Sequence, residues 1–169
     1  MKLGIMLNID DTHFIASRFL KKINVTRAEL EKFVSQYRDT HVTDLIFSIA
    51  GRIICYPSSV STSWIDKYHQ KTENGIPVDY SNTYAKRAFE AYCVKGLDMY
   101  AVWLEECRKI GVRGWLSLRM NDCHDNDRPV SILHSDFYHE HPEYRRVAHR
   151  QSGPTAFRIS KCAVWTART

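Results

Sequence analysis

Gly111-Val112-Arg113-Gly114-Trp115-Leu116-Ser117-Leu118-Arg119-Met120-Asn121 is the stretch that decides the fold class. Ahead of it, Leu97, Ala101, Leu104 and Cys107 fall on one stripe of a helix over about 97–110. Gly111 stands just past the last turn, where a helix-ending glycine belongs. From Val112 the period changes to two. Leu116, Leu118 and Met120 share one face; Trp115, Ser117, Arg119 and Asn121 share the other. The first face is apolar throughout, and the second turns polar toward its C-terminal end.

Two earlier stretches repeat this pattern. Lys2 to Asp10 puts Leu3, Ile5, Leu7 and Ile9 on one face and Gly4, Met6, Asn8 and Asp10 on the other. Asp44 to Arg52 sets Leu45, Phe47 and Ile49 against Ile46, Ser48, Ala50 and Arg52. Nearly continuous apolar character suits strands covered on both faces. Between these two, Thr26-Arg27-Ala28-Glu29 reads as a capping box, and Leu30, Phe33, Val34 and Tyr37 form the stripe of the helix it opens. The span 53–96 is a long connection holding Glu73-Asn74-Gly75-Ile76-Pro77 and a candidate helix from Tyr84 to Val94; connections of that length are usually functional or carry extra helices.

Strand, helix, strand, helix, strand implies parallel pairing with right-handed crossovers. An open doubly wound sheet also fits this order. The polar strand ends, Asn8 and Asp10, Ser48 and Arg52, then Ser117, Arg119 and Asn121, tilt the reading toward a barrel, whose chemistry gathers at the C-terminal mouth. The expectation is an α/β chain in which residues 1–150 form the N-terminal part of a (β/α) TIM-type barrel, its first three strand–helix units. A whole barrel of this type takes about 250 residues, against 169 here. Residues 151–169 show no clean period and no acid, and are read as an irregular basic tail, a truncation or frameshift product, with a partner-binding arm as the alternative. Open sheet edges in such a partial barrel invite self-association.

The net charge of +5 misleads. Six of the 24 basic residues and none of the 19 acidic ones lie in 145–169, so residues 1–144 hold 18 basic against 19 acidic. A neutral body gives no basic face for a nucleic acid. No apolar run approaches the roughly 20 residues needed to span a bilayer, and the N-terminus lacks a signal-peptide cleavage site. The five cysteines, Cys55, Cys93, Cys107, Cys123 and Cys162, are odd in number and show no C-x-x-C spacing, which points to unpaired thiols in a reducing cytoplasm. No nucleotide-binding glycine fingerprint follows any strand and no nucleophile elbow is present, so no cofactor is expected.

The candidate site residues sit at the strand ends. The paired acids Asp10 and Asp11 suit acid–base work or helix capping, with Asp11-Thr12 read as a simple cap and Asp10 open to either role. Arg52 suits a carboxylate clamp or an ion pair with a neighbouring acid such as Asp10. Arg119 and Asn121 would point inward by alternation, and Asp122 and His124 suit hydrogen bonding to sugar hydroxyls or to each other. Asp125, Asn126 and Asp127 read as a solvated turn. Asp122, His124 and Asp127 could instead ligate a metal in a hydrolase or isomerase on the same barrel. No H-E-x-x-H or EF-hand spacing supports that, His139-Glu140-His141 is not diagnostic, and no metal is assigned. Tyr56, Trp64, Tyr68, Tyr80 and Tyr84 suit sugar stacking, though packing of the loop is the commoner use of such rings. A third reading is a non-catalytic binding module.

The run Trp115-Leu116-Ser117-Leu118-Arg119-Met120-Asn121-Asp122-Cys123-His124 resembles a stretch of the family 10-like glycosylhydrolase proteins, bacterial (β/α)8-barrel proteins that carry S-x-R-M-N-D-x-H after the third strand. His141-Pro142-Glu143-Tyr144 is similar to the H-P-E-aromatic phrase that follows it there, and Leu7-Asn8-Ile9-Asp10-Asp11 to the first strand and loop. The resemblance covers roughly residues 2–150. It implies a carbohydrate substrate and glycosidic-bond hydrolysis by two carboxylic groups. In such barrels those acids follow later strands, so the resemblance assigns Asp10, Arg52, Arg119, Asn121, Asp122 and His124 to substrate binding and no residue here to acid catalysis.

Overall fold

A computed structural model describes residues 4–20, 24–119, 122, 124–125 and 128–144. Asn121 and the tail 151–169 lie outside the described residues. Three strands, β1 (Ile5–Ile9), β2 (Val42–Ala50) and β5 (Arg113–Leu118), form a parallel sheet in the order β1-β2-β5. The helices are α1 (Asp11–Leu20), α2 (Arg27–Ser35), α3 (Trp64–His69), α4 (Tyr84–Phe89), α5 (Met99–Lys109) and α6 (Asp136–Glu140). The chain is therefore mixed α/β with a monotonic strand order, and the described residues form no closed barrel.

Local sequence accounts for the element boundaries. The Thr26 hydroxyl accepts from Glu29 N at 3.2 Å and starts α2. Asp98 caps α5 by accepting from Ala101 N, and Gly111, at φ +75°, ends it before β5. The long connection contains α3, α4 and a two-stranded hairpin, β3 (Thr72–Glu73) and β4 (Ile76–Pro77). Its two-residue turn is Asn74-Gly75, with φ +50° and +74°, the left-handed pair that a type I′ turn requires. Past α4 the helix widens into a π-turn over Glu90–Val94.

Register puts Leu7, Leu45 and Gly114 side by side on one face, and Ile9, Phe47 and Leu116 in the next row. This face meets the helices. Phe14, Phe33, Phe47 and Tyr100 surround Trp103 with ring centroids within 5.5 Å, and Leu30, Val34, Val102 and Cys107 are fully or nearly fully buried in the same core. At Gly114 the strand touches α5 so closely that an added Cβ would lie 2.7 Å from Leu104 Cδ2. Outside this core, α2 and α5 are laced by Arg27 to Glu105, Ser35 to Glu106 and Lys109 to Glu31.

The opposite face carries Met6, Asn8, Asp44, Ile46, Trp115 and Ser117, and Met6 and Trp115 are 60% and 50% exposed. Near the N-terminal end of the strands on this face, the Asp44 carboxylate takes two bonds from Arg113 (2.7 and 2.8 Å), one from Trp115 Nε1 and one from the Thr43 hydroxyl. The loop rings are used for packing: Trp64 stacks on Tyr84, Tyr68 on Phe89, and Tyr56 meets Tyr100 edge-on. None of the described cysteines, Cys55, Cys93 and Cys107, is in a disulfide. Among the described residues no helix is long and apolar enough to cross a membrane.

Candidate functional site

Five of the six residues named from the sequence lie where the parallel strands end. Asp10 follows β1, and Arg119 follows β5, its N–H still bonded to Ala50 O of β2 at 2.8 Å. Arg119 Nη2 donates to Asp10 Oδ2 at 3.0 Å. Because β2 lies between β1 and β5, this ion pair spans the C-terminal end of the central strand. Both side chains are near 40% exposed and open to a solute. Asp10 also accepts from Thr12 N (3.1 Å) and the Thr12 hydroxyl at the start of α1, so it caps that helix as well as pairing. Burial alone would raise its pKa; the bonds from Thr12 and Arg119 outweigh burial and hold the carboxyl below the usual aspartate range.

Arg52 and Asp122 are buried. Asp122 Oδ2 approaches within 3.1 Å of where a Cβ on Gly51 would stand, so the loop after β5 folds over the turn after β2. Asp122 Oδ1 accepts from His124 N at 3.1 Å and meets His124 Nδ1. Burial works to raise the Asp122 pKa, but the His124 bonds and the Arg52 charge depress it. Arg52 lies over the ring of Tyr138, 4.8 Å from its centroid. The sequence allowed Arg52 an ion pair with Asp10 or another mouth acid; the acid on which its charge acts is Asp122, while Asp10 pairs with Arg119.

A second cluster, not found from the sequence, is centred on Glu73 of the β3–β4 hairpin, which is 1% exposed. Its Oε2 accepts from the Tyr80 hydroxyl and lies 3.3 Å from Lys67 Nζ of α3. Its Oε1 lies 2.9 Å from His139 Nε2, 3.3 Å from His134 Nδ1 and 3.4 Å from Ser131 N. Burial pulls the Glu73 pKa up, but His134, Tyr80, His139 and the Lys67 charge outweigh it and hold the carboxyl at about 2. Burial lowers the Lys67 pKa despite Glu73, and burial together with the Glu73 carboxylate raises that of Tyr80.

The two clusters are joined. His134 stacks on Tyr138 at 4.3 Å, and Arg52 also lies over the Tyr138 ring. His134 Nε2 is 3.0 Å from Asp125 O, in the same loop as Asp122 and His124. The buried cluster thus fixes the loop that carries two of the mouth residues. Glu73 stands 61 and 66 positions before His134 and His139; two signals were legible, the H-x4-H spacing of the two histidines and Asn74-Gly75, which demands a hairpin and so gives Glu73 a defined place. Comparison with protein-family models and with curated proteins finds no match to this chain.

Proposed function

We propose that this chain supplies the carbohydrate-binding part of a glycoside-hydrolase-like active site, built on the opening three strand–helix units of a (β/α) barrel. One observation carries the reading: polar side chains following three adjacent parallel strands gather at their C-terminal ends, with the half-exposed Asp10–Arg119 pair bridging the central strand. That end of a parallel sheet is where barrel enzymes hold their substrates. The monotonic strand order is what the opening units of a barrel have. Asp10 and Asp122, both held ionised, accept from sugar hydroxyls, while Arg119 presents a rigid fork of donors. The likeness of the 115–124 run to family 10-like glycosylhydrolases gives the substrate class.

The test is titration of the full chain with a panel of oligosaccharides, followed by nuclear magnetic resonance shifts. Arg119→Ala removes a charge-assisted hydrogen-bond donor and is expected to weaken binding by about 10- to 100-fold, since such bonds contribute about 1.5–3 kcal/mol. Asp10→Asn keeps a good helix cap while removing the charge, so weakened binding with an unchanged thermal midpoint ties the loss to the site. If Arg119→Ala binds as the parent does, or the parent binds no member of the panel, the reading is wrong.

A further inference from the structure

We propose that Glu73, His134 and His139 form a binding site for a borderline divalent cation, zinc foremost, with Glu73 Oε1, His134 Nδ1 and His139 Nε2 as its ligands. The three atoms lie within 4.8 Å of one another. A tetrahedral ion with bonds of about 2.0–2.1 Å sets its ligand atoms about 3.3 Å apart. His134 Nδ1 is 3.3 Å from Oε1, and His139 Nε2 is 2.9 Å from it. Both of these separations are within a few tenths of an ångström of the tetrahedral value, and the two ring nitrogens are within 4.8 Å of each other.

The hydrogen bonding around the three residues leads to the same conclusion. Asp125 O can only accept, so His134 Nε2, 3.0 Å away, carries the proton. In the neutral ring Nδ1 is then a bare lone pair facing a carboxylate oxygen. His134 is 0% exposed, and its Nδ1 has no hydrogen-bond partner among the described residues. Ser131 N and His139 bond Oε1 and the Tyr80 hydroxyl bonds Oε2, while Lys67 Nζ lies 3.3 Å from Oε2. A cation among Oε1, Nδ1 and Nε2 gives the unpartnered His134 nitrogen a ligand's role.

The surroundings are those a metal site needs. A ligating imidazole ordinarily donates its other N–H to a carbonyl or carboxylate, and a ligating carboxylate is itself hydrogen-bonded. Asp125 O serves His134, and Tyr80 serves Glu73. Lys67 remains on the far oxygen, and further negative charge borders the cluster. The Asp136 charge acts on Lys67, and Asp125, which also meets the exposed Arg128, bonds the Ser131 hydroxyl. His139 is the most exposed of the three at 17%, so an ion would enter from its side. The ion would tie the β3–β4 hairpin to α6 and stiffen the loop holding Asp122 and His124. This inference stands independently of the carbohydrate reading.

The experiment uses the full chain without a polyhistidine tag, treated with chelator and then titrated with Zn²⁺ alone and with Co²⁺ alone. About one equivalent should bind, the thermal midpoint should rise, and the Co²⁺ form should show the visible bands of a tetrahedral site. His139→Ala and His134→Ala should each weaken Zn²⁺ binding at least about tenfold, and His141→Ala should leave it unchanged. If His134→Ala does not fold, His139→Ala decides. Failure of the parent to bind Zn²⁺ overturns the proposal. Binding that survives both ligand substitutions, or Co²⁺ bands of an octahedral hydrate, overturns it equally.

Discussion

Asp44 illustrates how one residue can hold a sheet together. Its two carboxylate oxygens accept four bonds, three of them from the neighbouring strand, and the bidentate geometry with Arg113 fixes the pairing of β2 with β5 as well as strengthening it. Those bonds from Arg113, Trp115 and Thr43 hold its pKa far below the usual aspartate value. The sign follows directly. A depressed folded-state pKa stabilises the fold fully above the unfolded value, near about 3.9, and the contribution fades as pH falls toward the folded value. Asp44→Asn should therefore lower the urea midpoint most above about pH 4, and its deficit relative to the parent should shrink steadily at lower pH. A deficit independent of pH would place the stabilisation elsewhere. Asp44 opens the second strand in the sequence reading, yet its partners are 69 and 71 residues away and become visible only once the parallel register is known. The same separation hid Glu73, which depends on His134 and His139, 61 and 66 positions later. Asp10, Arg119, Asp122 and His124 were legible because each ends or follows a strand whose alternation is strong.

At the scale of elements, alternation and capping marked the three strands and the helices α2 and α5, because those segments bury one continuous stripe or face. The helix read from Tyr84 to Val94 is present, but its second half is a π-turn that propensity does not signal. Asp11–Leu20 is a further helix, for which the sequence offered only the caps Asp10 and Asp11-Thr12. The α5–β5 contact is the tightest joint between layers. At Gly114 a new side chain would press on Leu104 Cδ2 at 2.7 Å and Cys107 Cβ at 3.3 Å. Gly114→Val is expected to cost about 1–3 kcal/mol by overpacking, read as a lower thermal midpoint. Trp103→Ala, which empties the centre of the aromatic cluster, should cost about 3–5 kcal/mol. If Gly114→Val were neutral, α5 would have to sit farther from the sheet than described.

For the molecule as a whole, the deciding feature is a sheet covered by helices on one face and bordered by two strands that, among the described residues, each pair on one side. Ile5, Leu116 and Leu118 are 49%, 47% and 63% exposed along those edge strands. Unshielded edges with apolar side chains favour pairing between chains. The sedimentation coefficient is expected to rise with concentration, and Leu118→Lys should suppress the rise; an unchanged concentration dependence would exclude the β5 edge as the contact.

The same arrangement has a kinetic consequence for the backbone amides. In a parallel sheet, successive residues of an edge strand direct their N–H groups alternately toward the neighbouring strand and away from it. Among the described residues only β2 has neighbours on both sides. Deuterium uptake should therefore be slow at every amide along Leu45 to Ser48. Along β1 and β5 it should alternate fast and slow with a period of two, so that the exchange pattern alone distinguishes the middle of the sheet from its borders.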